Sequence, residues 1–253
     1  MHKALLAALL AVAFFVPQSS SRAAEGPALP AQAWSFKGAF GTYDRAAVRR
    51  GLQVYREVCA ACHSLNLVAF RHLGDVGFQE AEIKAVAEAY KVKDGPDDAG
   101  DMFERAGRPS DYFPAPFANT KAARASNGGA LPPDLSLMTK ARKQGPDYVY
   151  ALLTGFKAPP AGFSLMAGMN YNEHFPGRQI AMAPPLAEGA LTFADGTQSS
   201  VSQMARDVTT FLSWTAEPEM EARKRLGVKV LLFLLVLTGL LYALKRAIWQ
   251  KLH

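Results

Sequence analysis

The chain has 253 residues, 49% of them apolar and 20% charged, and only two cysteines. That composition excludes a disordered chain, and the cysteine count excludes a disulfide-stapled scaffold and a four-cysteine zinc or iron–sulfur site. The net charge is +6, yet residues 24–226 hold 22 basic and 22 acidic residues, so the excess sits at the two ends beside apolar runs. Basic ends of this kind point to membrane handling and not to nucleic acid.

Taken in chain order, the first element is an export signal. His2 and Lys3 precede an apolar run, Ala4 to Val16, and Ser21-Arg22-Ala23 supplies small residues for cleavage, so residues 1–23 read as a signal peptide. Asp44 caps a helix running to about Cys59, with Val48, Leu52, Tyr55, Cys59 and Cys62 on its inward face. Residues 80–90 form a second helix. Pro146 starts a third, which turns Val149, Leu152, Leu153 and Phe156 inward. Ser200 and Gln203 make a capping box for a fourth, ended by Pro218. Between these lie long Gly-, Pro- and Asn-rich stretches, 91–133 and 157–199, with little strand alternation. Loops this long need something to pack on, and a large buried cofactor would provide it.

The C-terminal end is a membrane anchor, residues 227–246. Leu226 to Leu244 carries only Lys229, has no polar stripe, and is bracketed by Arg223, Lys224, Arg225 and by Lys245, Arg246, Lys251. The flanking charges do not decide orientation. The signal does, placing 24–226 outside and the 247–253 tail in the cytoplasm.

Cys59-Ala60-Ala61-Cys62-His63 is C-x-x-C-H, the attachment signature of c-type haem. Two thiols one helical turn apart can add to the two vinyl groups on one porphyrin edge, and the adjacent imidazole becomes the proximal iron ligand. A thioredoxin-like redox pair would need a βαβ context, and a zinc site a second ligand pair; neither is visible. For the sixth ligand the residues leave several candidates, His72, His174 and His253 among the histidines and Met138, Met166, Met169, Met182 and Met204 among the methionines. Met182 lies in Ile180-Ala181-Met182-Ala183-Pro184-Pro185-Leu186, which its prolines hold extended. His/Met ligation raises the potential and suits an electron carrier.

The sequence resembles the cytochrome c1 family, the anchored haem subunits of ubiquinol–cytochrome c oxidoreductase (cytochrome bc1) complexes. The likeness runs through RRGLQVYREVCAACHSL (49–65), VAFRHL (68–73), SDYFPAPF (110–117), ARASNGGALPPDLS (123–136), DYVYALLTGF (147–156), IAMAPPL (180–186), DVTTFLSWTAEPE (207–219) and RKRLG (223–227). It implies a mostly α fold: an enlarged cytochrome c-type haem domain with long loops, residues 24–226, plus one C-terminal transmembrane helix. It implies one covalently attached haem on Cys59 and Cys62, with His63 and Met182 as axial pair. It also implies that Asn127, Pro132 and Pro133 line the pocket and that Arg142 and Tyr148 lie near the propionates, where a buried arginine would pair with a carboxylate. The long insertions and extra cysteine pair of some bacterial relatives are missing here.

The resemblance further implies electron transfer from the Rieske iron–sulfur protein to a soluble or tethered cytochrome c, beside cytochrome b, in a dimeric complex. The short signal favours a bacterial inner membrane with the haem domain in the periplasm; the mitochondrial inner membrane is the other placement. Residues 75–104 hold nine acidic residues against three lysines and are a candidate docking surface for a basic cytochrome c. A stand-alone anchored cytochrome shuttle, a haem enzyme or gas sensor with an exchangeable sixth position, and a structural anchor protein are the competing readings.

Overall fold

The computed structural model describes residues 29–250. The expected signal, 1–23, and the last three residues of the expected tail lie outside them. The described chain is mostly helical. In order it forms α1 (Arg45–Val54), α2 (Glu80–Glu88), β1 (Lys91–Asp94), β2 (Phe103–Ala106), α3 (Thr120–Ser126), α4 (Met138–Ala141), α5 (Pro146–Thr154), β3 (Asn170–Tyr171), β4 (Gln179–Ile180), α6 (Val201–Ala216) and α7 (Met220–Trp249), with 3-10 turns at Phe70–Val76 and Pro176–Arg178.

α6 is the centre. Twelve of its sixteen residues are buried, so it is wrapped on all sides and not merely on one stripe. Most of its buried hydroxyls are satisfied within the helix, Thr210 donating to the Arg206 carbonyl at 2.9 Å and Ser213 to the Thr209 carbonyl at 2.7 Å, while the Thr209 hydroxyl has no hydrogen-bond partner. α1 crosses α6 at Gly51, where an added Cβ would lie 2.6 Å from Phe211 Cβ and closer still to the Asp207 carbonyl oxygen. Around that crossing Val48, Leu52 and Tyr55 meet Met204, Val208 and Phe211 in one core, which extends to Phe70 and Phe113, whose ring centroids lie 4.4 Å apart at a 46° tilt. Fully burying side chains of this size is worth about 1.5–3 kcal/mol each. Arg50 seals the crossing, pairing with the fully buried Asp207 at 2.7 Å and with Asp195 at 2.6 Å.

Several expectations hold. Asp44 caps α1, accepting from the Ala46 and Ala47 amides, Pro146 opens α5, and Ser200 accepts from the Gln203 amide at 3.2 Å. Others are corrected. The Ser200/Gln203 capping box is only half made, because the Gln203 side-chain amide Nε2 donates to Asp207, 3.0 Å away, instead of the side chain folding back. The first helix does not run regularly to Cys59: from Tyr55 to Cys59 it widens into a π-helical turn, which rotates the following side chains. Cys62 is therefore exposed and Cys59 half-buried, instead of both continuing the inward face. Leu152, Leu153 and Phe156 are half-buried; the buried residues of α5 are Val149 and Ala151. The stretches expected as loops contain two short antiparallel hairpins, β1–β2 and β3–β4, and α3.

α7 is a continuous 30-residue helix, long and apolar enough to cross a membrane, about 45 Å at 1.5 Å per residue. It begins at Met220, with only residues 217–219 between it and α6, so no long linker separates it from the head. Its first turns are stitched to the N-terminal segment. Arg45 grips Glu221 with two hydrogen bonds of 2.9 and 2.8 Å, and Lys224 donates to the Phe36 and Gly41 carbonyls at 2.7 and 2.9 Å. The Tyr43 hydroxyl donates to the Ser213 and Glu217 carbonyls where α6 ends.

Candidate functional site

The π-helical turn delivers the C-x-x-C-H run. The Ala60 amide reaches back to the Tyr55 carbonyl at 2.7 Å, and the Cys62 and His63 amides both donate to the Cys59 carbonyl, at 3.1 and 2.9 Å. This tight turn carries the two cysteines and the histidine in succession off the end of α1. The buried Tyr55 supports it, its hydroxyl donating to the His63 carbonyl at 3.2 Å. Burial, with Cys62 close by, pushes the Cys59 thiol up to about 12, so it is a protonated thiol and not a thiolate.

His63 is oriented by a single contact. Its Nδ1 lies 2.8 Å from the Pro133 carbonyl oxygen, which can only accept, so Nδ1 carries the proton and Nε2 is left with a lone pair. Burial lowers the His63 pKa, opposed by the Pro133 hydrogen bond and Asp134, and keeps the ring neutral. A neutral imidazole with its far nitrogen fixed by a carbonyl is the form that ligates a metal.

Pro133 is itself held in place by Asp134, a residue the sequence pattern did not single out. One Asp134 oxygen accepts from the Ser64 hydroxyl and the Asn66 amide, both at 2.8 Å, and the other accepts from the Ser136 amide at 2.9 Å. The Leu135 amide adds a bond to the Ser64 carbonyl at 2.9 Å. The residues after His63 and those after Pro133 are thereby clamped together across about 70 positions of chain. Burial raises the Asp134 pKa, but the donated hydrogen bonds outweigh it and hold the carboxyl below its usual range. Its signal in the sequence was an Asp two residues before a Ser, an Asx turn in form.

The other expected site residues fall into separate local networks. Asn127 is half-buried and closes α3, its amide donating to the Ala123 carbonyl at 2.7 Å, and so starts the turn leading to Pro132 and Pro133. Arg142 and Tyr148 do come near each other: burial raises the Tyr148 pKa, and the nearby Arg142 guanidinium opposes that rise. Arg142 is exposed, past the end of α4 in a surface connection. Met182 is half-buried, two residues beyond β4, and its strap returns to the core at Leu186. Pro184 and Leu186 of that strap border a cavity of about 380 Å³ with Leu153, Phe156, Met169 and Tyr171. Among the described residues no hydrogen bond ties Met182 or Asn127 to the His63 group.

The donor chemistry fits a covalently held haem. Two thiols within one turn can form thioethers, His63 offers Nε2, and Met182 offers a thioether sulfur on a proline-stiffened strap. Among the described residues no group of three or more His, Cys, Asp or Glu side chains converges as a metal site.

A family model described as the Cytochrome C1 family matches residues 34–252. The chain is 49% identical over 241 residues to cytochrome c1 of Rhodospirillum rubrum, covering 89% of each chain. It is 51% identical over 235 residues to the mitochondrial cytochrome c1 heme protein of Saccharomyces cerevisiae, covering 92% of this chain and 74% of that one. It is also 52% identical over 246 residues to cytochrome b/c1 of Bradyrhizobium diazoefficiens, covering 88% of this chain and only 36% of that longer protein.

Proposed function

The chain belongs to the cytochrome c1 family, and from that premise we propose that it is the anchored electron carrier of a quinol–cytochrome c oxidoreductase. In this reading it takes electrons one at a time from the Rieske iron–sulfur protein and passes them to a soluble or tethered cytochrome c. The observation that carries the reading is the C-x-x-C-H turn with His63 Nδ1 bonded to the Pro133 carbonyl. The haem, attached through Cys59 and Cys62, would supply a one-electron iron couple. The chain's own work would be to hold His63 as a neutral ligand, to offer Met182 as the second ligand, and to line the pocket with Asn127, Pro132 and Pro133. Arg142 and Tyr148, already near each other, would face the propionates.

The rigid seat of α7 separates this reading from a stand-alone shuttle. A shuttle needs a flexible tether, whereas here Arg45 and Lys224 lock the first turns of α7 to the head. A fixed head suits a subunit placed against membrane partners, and the name of the Bradyrhizobium relative supports cytochrome b as one of them. The expected placement is the periplasmic face of a bacterial inner membrane, in a dimeric complex.

The acidic stretch is smaller than its composition. Arg49 takes Glu82 at 2.8 Å, and Arg105 takes Asp94 and Asp111. What stays exposed and outside ion pairs among the described residues includes Asp97, Asp98 and Asp101 at the β1–β2 tip, beside exposed Met102 and Phe103. This tip is the proposed landing point for cytochrome c.

Purification in mild detergent through a tag on this chain, followed by a reduced-minus-oxidised optical spectrum, tests the function. A c-type band accompanied by b-type bands is expected. A c-type band alone, with full recovery of the chain, would overturn the complex in favour of the shuttle.

A further inference from the structure

Ahead of α1 the chain closes a small loop against the first turns of α7. The Thr42 amide donates to the Ser35 carbonyl and the Lys37 amide to the Trp34 carbonyl, both at 3.1 Å, and Gly38 turns the chain with a φ of +80°. The base of the loop is firmly held. Trp34, Phe36 and Tyr43 are buried in the core, and Asp147 accepts from Trp34 Nε1 and Lys37 Nζ, both at 2.7 Å. The tip is the opposite: Gly38, Ala39 and Phe40 are exposed. Phe40, at 83%, is more exposed than any large apolar side chain of α7 itself. A single exposed apolar side chain is ordinary. What sets this one apart is where its loop is tied.

α7 gives the depth. From Leu226 onward its side chains are exposed and mostly apolar, so the hydrocarbon layer begins near that residue. Lys224 stands two helical residues before it, about 3 Å, inside a polar interfacial layer roughly 5–8 Å deep. Lys224 is the residue that grips the loop, donating to the Phe36 and Gly41 carbonyls at 2.7 and 2.9 Å. The loop also descends. The Tyr43 amide is bonded to Glu221 at 2.8 Å, whereas Gly41, two residues back along the chain, is bonded to Lys224, about 4.5 Å further toward the span. Residues 38–40 lie beyond both tied carbonyls, at the free end of the loop.

We propose that the Gly38–Phe40 tip is a second membrane contact, a wedge that seats Phe40 in the bilayer interface beside α7. An aromatic ring at that level leaves water for the headgroup–acyl boundary, while the loop backbone stays among the headgroups. Because Arg45 and Lys224 lock α7 to the head, a second contact beside the span sets the tilt of head and anchor together. The wedge reads the interface itself and not the charge of a headgroup. The proposal depends on α7 lying in a bilayer and not on the haem assignment.

The test uses the full haem-loaded chain, reduced, in vesicles of phosphatidylcholine alone. Ala39→Cys and, as a reference at the β1–β2 tip, Met102→Cys are each given a nitroxide spin label. Power saturation then reads the access of dissolved oxygen and of a water-soluble nickel chelate. Both positions are exposed, and an unchanged haem spectrum shows that the labelled chain is intact. The label at 39, with the native Phe40 beside it, is expected to lose nickel access and keep oxygen access, whereas the label at 102 keeps both. Adding Phe40→Ser to the Ala39→Cys chain should restore nickel access at 39. Equal nickel access at 39 and 102, or shielding at 39 that survives Phe40→Ser, would overturn the proposal. So would shielding that appears only when the chain is purified with its partner subunits, or that disappears as the chain is diluted in lipid; these would make the tip a contact with another protein or with a second copy of this chain.

Discussion

Replacing Asp134 with alanine removes the clamp that holds the Pro133 carbonyl against His63. Three hydrogen bonds are lost, from Ser64, Asn66 and Ser136 at 2.8, 2.8 and 2.9 Å. Hydrogen bonds to a charged group net about 1.5–3 kcal/mol each, which would sum to roughly 4.5–9 kcal/mol if they added. They do not add. Asn66 is exposed, so water replaces the carboxylate at its amide, and removing Asp134 also relieves the cost of burying that carboxylate. The Ser136 amide, in a buried residue, keeps most of its penalty. A loss of about 2–3 kcal/mol is expected, and about 1 kcal/mol for Asp134→Asn, which keeps one acceptor. The assay is urea unfolding of the detergent-solubilised, haem-loaded chain, followed by haem absorbance. Because folding lowers the Asp134 pKa, its contribution is fully present above the unfolded value of about 3.9 and is lost as pH falls through the folded value. The gap between wild type and Asp134→Ala should thus be flat from about pH 8 to pH 5 and shrink below about pH 4. A gap under about 0.5 kcal/mol at neutral pH, or one that widens on acidification, would refute the clamp.

Met182→Leu should lower the haem potential by on the order of 100 mV and let the reduced protein bind carbon monoxide, read by redox titration and optical spectra; an unchanged potential would move the sixth ligand elsewhere. Asp207→Asn leaves Arg50 facing a neutral amide in the α1–α6 crossing and should cost about 3 kcal/mol in urea unfolding. Gly51→Ala forces α1 away from α6 and should cost at least about 2 kcal/mol, measured the same way; a neutral result would mean the crossing is looser than the 2.6 Å approach to Phe211 implies. Asp98→Asn/Asp101→Asn should slow cytochrome c reduction several-fold at low salt and flatten its salt dependence in stopped flow. Asp97 is spared because its carboxylate shapes the turn, accepting from the Ala99 and Asp101 amides at 2.9 Å.

What was readable beforehand was governed by short-range rules. Asp44, Pro146, Ser200 and Pro218 mark helix ends through chemistry contained within a few residues, and the α7 span declares itself by composition alone. C-x-x-C-H is likewise local, since its spacing is its function. What escaped was set by contacts across the chain. The β1 and β2 strands are four residues each, too short to show alternation, and Arg105 joins Asp94 to Asp111 across their pairing. Gln203 had the right position for a capping box, but Asp207, on the same helix and already paired with Arg50, bound it instead. The π-helical turn, which decides where Cys62 points, breaks the very periodicity used to place it.

The same division runs through the site. The thiols and the imidazole that would hold haem are local and legible, whereas the sixth ligand stayed open on the residues alone, and the orientation of His63 depends on Pro133, and Pro133 on Asp134 reaching back to Ser64 and Asn66. A haem attached through the two cysteines alone would hang from one edge of the ring. Making it an electron carrier of defined potential requires the imidazole to be neutral, aimed and immobile. Those properties belong to the clamp and not to the motif. A chain keeping C-x-x-C-H but lacking the Asp134 contacts should therefore still attach haem, and would be expected to lose its single, well-defined potential before it loses its colour.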